Sequence, residues 1–189
     1  FKLPLGKWIF DLSQRVNRFS CKSLTIIPLC LCALVANEDK KLSLIHSRRQ
    51  AREFVLQALY AYEFTQDEPE DILARLKKMS EEKDVDKKVE SYVRKLFYET
   101  ISNREWTSEE IKLRLQNWEY DRVAIIDRLV LQMMITEMVF FDDVPPKVSI
   151  SEGVEISKKY STLDSGGFVN GILDSVYHSL DDLSLPTTS

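Results

Sequence analysis

The chain has 189 residues, 44% of them hydrophobic, with 26 Lys+Arg against 30 Asp+Glu and a formal net charge of −4. That length suits one domain large enough to bury a real core. With five glycines and no alternating Val/Ile/Thr run bounded by turns, all-α is the economical class and a sheet protein is disfavoured.

Residues 1–46 differ in character from the rest. They carry Pro4 and Pro28, hold no clear helical period, and place an apolar run from Leu24 to Ala36 behind Arg15, Arg18 and Lys22. A basic stretch ahead of about 13 apolar residues looks like a signal peptide or anchor, but the run is too short to span a bilayer. With Phe1 in place of Met, it is expected to be a non-essential, poorly ordered extension, from translated upstream sequence or a fragment boundary. Cys21, Cys30 and Cys32 all lie in it. The presumed fold therefore has no disulfide framework, which fits a reducing, cytoplasmic setting without membrane insertion. These 46 residues hold 7 basic and 3 acidic side chains, whereas from Ser47 onward 19 basic face 27 acidic, a net of −8. Any nucleic-acid contact must then come from a local basic patch or a basic partner.

At Ser47 the pattern changes. Ser47 and Gln50 fit a capping box, and Ala51, Phe54, Val55, Ala58, Leu59 and Tyr62 recur at three and four residues, predicting a helix from Arg48 to Phe64. Arg48, Arg49 and Arg52 crowd its start, where the helix dipole disfavours cations by about 0.3–1 kcal/mol each. A phosphate backbone would favour them there; a solvated surface turn explains them equally well.

Pro69 opens a second helix with Ile72, Leu73, Leu76 and Met79 inward. After the charged segment 80–83, the stripe Val85, Val89, Tyr92, Val93, Leu96, Phe97 and Ile101 predicts a third. Thr107 with Glu110 reads as a capping box for a short fourth helix carrying Ile111 and Leu115. Trp118 is expected to plug the bundle end. The stretch from Asp121 to Phe141 is apolar almost all round, which marks a central helix surrounded by others. Its charges, Arg122, Asp127, Arg128 and Glu137, argue against a membrane span, and Pro145-Pro146 end it. Ser149 and Glu152 then read as the cap of a sixth helix with Gly153 inside it. Ser161 to Gly167 reads as a loop, and a last helix follows from Phe168 to Leu180. The tail from Asp181, including 184–189, is expected to fray.

Little here supports catalysis. The two histidines, His46 and His178, are not at metal-ligand spacing, and no phosphate-binding glycine motif occurs. The expectation is no cofactor, no metal and no catalytic residue.

Three ordered stretches carry a resemblance. SRRQAREFVLQALYAYEF from Ser47, NWEYDRVAIIDRLVLQMMITEM, and DDVPPKVSISEGVEISKKYSTLDSGGFVNGILD resemble the opening helix, central helix and signature of the NusB family of transcription antitermination factors. The resemblance covers about residues 47–180, within a domain drawn as 47–183. It implies a compact bundle of about seven helices in two packed sub-bundles. It also implies a noncatalytic protein that pairs with the ribosomal protein NusE, binds boxA RNA of ribosomal RNA transcripts, and joins the transcription elongation complex, with a homodimer left open. On the matching positions, Arg48, Arg49 and Arg52 correspond to the basic RNA-binding arm. Gln57 and the segment Asp164, Ser165 to Phe168 correspond to further RNA surface, and Tyr60 and Asp127 to positions facing NusE. By themselves, Tyr60 is an ordinary amphipathic tyrosine and Asp127 a surface carboxylate. Gly167 stands where the family usually has a lysine or arginine, and Gly153 where it usually has alanine. Two other classes compete: the NusB-like N-terminal domain of an rRNA cytosine methyltransferase, which needs a further catalytic domain, and a helical adaptor that binds only protein.

Overall fold

The computed structural model describes residues 47–65, 67–79, 87–115, 119–162, 164–183 and 185. The expectations for residues 1–46, the charged segment 80–83, Val85, Trp118 and the end of the tail lie outside them. The described residues hold seven α-helices and two short 3-10 turns joined by loops, and among them there is no strand. They form two helical units, residues 47–98 and 99–185.

In the first unit, α1 (Arg48–Thr65) begins where the capping box placed it. The Gln50 amide donates to Ser47 Oγ at 3.3 Å, while the Ser47 hydroxyl donates to the Gln50 side-chain oxygen. One orphan N–H of the first turn is thereby satisfied. α2 (Pro69–Met79) starts at its proline, with Glu70 and Asp71 in the first turn, where the dipole favours acids. α3 (Lys87–Ser102) follows. Its stripe Val89, Tyr92, Val93, Leu96 and Phe97 is buried, as are Ala51, Phe54, Val55, Ala58 and Leu59 of α1 and Ile72, Leu73 and Leu76 of α2. Ion pairs Arg94–Glu70 and Lys77–Glu90, both at 2.8 Å, cross from α3 to α2 in solvent. Exposed pairs of this kind are screened by solvent and contribute little, so apolar burial dominates.

The second unit is built around α5 (Ile125–Phe140). α4 (Arg104–Arg114), α6 (Pro146–Tyr160) and α7 (Ser165–His178) all pack on it. Leu131, Met133, Met134 and Ile135 are fully buried, and each such side chain contributes about 1.5–3 kcal/mol. α6 approaches closely at Gly153, where an added Cβ would stand 2.8 Å from Met134 Cγ and 3.0 Å from a Leu173 methyl.

Four helix starts differ from expectation, and the last helix ends at His178 rather than Leu180. The central helix begins at Ile125 rather than Asp121, because Tyr120–Arg122 form a 3-10 turn and Val123 and Ala124 are extended. The Gln132 side-chain amide donates to Tyr120 Oη at 3.0 Å and to Ser108 Oγ at 2.9 Å, pinning that turn. Thr107 is no cap: α4 starts at Arg104, and the buried Thr107 hydroxyl donates back to the carbonyls of Asn103 and Arg104. Ser149 is likewise inside α6, which starts at Pro146; its hydroxyl donates to Oε2 of the buried Glu137. The last helix starts at Ser165, so Gly166 and Gly167 form its first turn rather than a loop.

Candidate nucleic-acid interface

The first unit carries Arg48, Arg49, Arg52, Gln57 and Tyr60, all on α1. Arg48 and Arg49 are exposed, and α1 has no acidic side chain in its first turn. Arg52 is different. It is 2% exposed, so its guanidinium belongs to the packed side of the helix and not to a solvated turn. Arg48 and Arg52, four residues apart, share one face. Both reach the same ring of α3, with guanidinium carbons 5.4 Å and 5.8 Å from the Tyr92 centroid, within the range of a cation–π contact. Tyr92 was read in the sequence only as a stripe residue; that it lies under two arginines of another helix is a tertiary fact that no local spacing carries. Gln57 is partly exposed. Tyr60 is buried, its ring 4.8 Å from that of Phe64.

The second unit carries Asp127, Asp164, Ser165 and Phe168. Asp164 is exposed and caps α7 through its backbone, whose carbonyl accepts from the Gly167 and Phe168 amides. Phe168 is half-buried. Ser165 and Asp127 are both buried, and the Ser165 hydroxyl donates to Asp127 Oδ2 at 2.8 Å. The same serine oxygen accepts the Thr162 amide at 3.2 Å and lies 2.8 Å from Thr162 Oγ1 and 3.0 Å from Ser161 Oγ. Asp127 is therefore not a surface carboxylate: it anchors the turn that leads into α7. Burial pushes its carboxyl above the ordinary carboxylate range, and the Ser161 and Ser165 hydroxyls pull it partly back. Among the described residues, its Oδ1 is buried without a hydrogen-bond partner. Gly166 makes room for Lys158, whose Cγ and Cε would each lie 2.9 Å from an added Cβ, and open space surrounds the corresponding position at Gly167. Sequence reading missed Ser161, Thr162 and Lys158, whose neighbours are set by the α6–α7 packing.

The arrangement offers exposed guanidinium groups at a helix start and a hydroxyl-rich turn. Among the described residues no group of His, Cys, Asp and Glu is placed to hold a metal ion. No helix there is long and apolar enough to cross a membrane.

The profile of the NusB family matches residues 49–178. The chain is 43% identical over 136 residues to the transcription antitermination protein NusB of Salinibacter ruber, covering 72% of this chain and 84% of that protein. Its fold is similar to that of T. maritima NusB, with a TM-score of 0.64 and 34% identity over 70% of this chain and 91% of the other. The fold is also shared with a chain from the crystal structure of antitermination factors NusB and NusE in complex with dsRNA, at a TM-score of 0.62 and 24% identity, covering 70% of this chain and 96% of that one.

Proposed function

The chain belongs to the NusB family, and from that premise we propose that it is a noncatalytic, cytoplasmic transcription antitermination factor that binds boxA RNA of ribosomal RNA transcripts together with a NusE-like ribosomal protein, within the transcription elongation complex. The observation that carries this reading is the exposed pair Arg48 and Arg49 at an α1 start that holds no acid. Guanidinium groups beside a helix N-terminus suit a phosphate.

Charge shapes the mechanism. From Ser47 onward the chain carries a net of −8, so most of its surface repels RNA and the arginines act locally. A basic partner that docks on acidic surface supplies further phosphate contacts, and the pair binds RNA more tightly than this chain alone. Gln57, Asp164 and Phe168 enter the reading as further RNA surface, which the buried Ser165 supports from beneath. Tyr60 and Asp127, both buried, support partner contact from beneath rather than offering their side chains to it. Residues 1–46, which precede the family match, are proposed to be dispensable for folding and binding.

The test is a titration of labelled boxA-like RNA, with and without the NusE-like protein, over a salt series. Weak binding by the chain alone and tighter binding by the pair is the expected result. No RNA binding in either condition would replace this reading with that of a protein-only adaptor.

A further inference from the structure

Tyr92 lies on the buried stripe of α3, 8% exposed, yet its ring meets two cations from α1. Of these, Arg52 is buried and Arg48 exposed. One immobile ring thus joins an inner and an outer guanidinium. Two like charges on adjacent helical turns repel, and an arginine left to itself has many rotamers to lose on binding. The ring face attracts both guanidinium groups and cannot rotate away, because it is packed in the core.

We propose that Tyr92 is a positioning residue for RNA: its ring, with Arg52 behind it, holds Arg48 at the start of α1 in the pose that receives a phosphate. The inference rests on the RNA-binding reading above. Preordering Arg48 lowers the cost of fixing it on binding. Arg52 then serves as the buried brace, and Arg48 and Arg49 make the phosphate contacts.

The experiment uses the full chain with the NusE-like protein and boxA-like RNA, comparing Tyr92→Leu, Tyr92→Phe and Arg48→Ala. Tyr92→Leu removes the ring face but leaves every charge, so affinity should fall about three- to fivefold while the salt slope stays that of the unaltered chain. Arg48→Ala should lower affinity and also reduce the slope by about 0.7–0.9. Tyr92→Phe keeps the face and should bind like the unaltered chain. A second readout is the Arg48 Nε–Hε resonance, which should carry a ring-current shift in the unaltered protein and move when RNA is added. Should Tyr92→Leu fail to fold, that resonance still decides. A missing ring-current shift, or a folded Tyr92→Leu that binds like the unaltered chain while Arg48→Ala is weakened, overturns the positioning role alone. An unaltered chain that binds no RNA even with its partner overturns the functional reading and this inference with it.

Discussion

Ser165 Oγ donates to Asp127 Oδ2 at 2.8 Å, joining the first residue of α7 to the first turn of α5. Asp127 is buried, and its carboxyl is held above its ordinary value chiefly by that burial. The folded state therefore binds its proton more tightly than the unfolded state, and the contribution of Asp127 to stability declines as pH rises from the ordinary carboxylate value through the raised one. Asp127→Asn keeps an oxygen to accept from Ser165 and removes the buried charge. It should match or exceed the parent in Tm at pH 7, with a gap that closes as the pH falls to the ordinary carboxylate value. Thermal melts of both proteins from pH 3 to 8 check this. A parent that is the more stable at pH 7, with a gap widening at high pH, would show that the charged form is favoured in the fold.

That pair also shows how much of the molecule was legible in the sequence. Helix existence followed from periodicity, and the starts of α1 and α2 followed from Ser47 and Pro69, because capping and proline geometry are local. The pattern Ser/Thr-x-x-Glu failed at Thr107 and Ser149, since a hydroxyl can also sit mid-helix when it donates to a preceding carbonyl or to a buried carboxylate. Here both happen. Burial of Asp127, Tyr60 and Arg52 was not legible either. Each is polar in type, and only packing from other parts of the chain removes it from water.

The glycines of α6 and α7 separate packing from propensity. Gly171 faces open space within a helix, so Gly171→Ala should stabilise by about 0.5–1 kcal/mol. At Gly153 the same gain is outweighed, because the new methyl would press on Met134 and Leu173, both fully buried. Overpacking of that kind costs about 1–3 kcal/mol. Urea unfolding should thus move the two midpoints in opposite directions, and a stabilised Gly153→Ala would mean that α6 can shift outward freely.

Ser149 and Glu137 offer a test of the buried polar contact between α6 and α5. Both are fully buried, and the serine donates to Glu137 Oε2. Ser149→Ala deprives a buried carboxylate of a donor, a loss of about 1–3 kcal/mol. Ser149→Thr restores the hydroxyl but adds a methyl to a closed site, so its recovery should be partial. Denaturant midpoints at pH 7 for the three proteins check the order parent, Thr, Ala; an Ala variant as stable as the parent would show that Glu137 does not rely on this serine.

Arg49 and Arg52, three residues apart on α1, should part company when each is replaced by alanine. Arg49 is exposed, so its loss should leave Tm within about a degree of the parent, as surface changes stay within roughly 0.5 kcal/mol. RNA binding should weaken, with the salt slope lowered by about 0.7–0.9 for one phosphate contact. Arg52 is 2% exposed and stands over Tyr92, so truncating it removes a packed stem as well as a charge. Its loss should cost about 1–3 kcal/mol of stability and weaken RNA binding through the disturbed α1 start, with little change in slope. Melting curves paired with RNA titrations at four salt concentrations distinguish the two. If Arg52→Ala melts like the parent and loses a full phosphate's worth of slope, then Arg52 reaches the RNA itself, and the division between an outer contact and an inner brace is wrong.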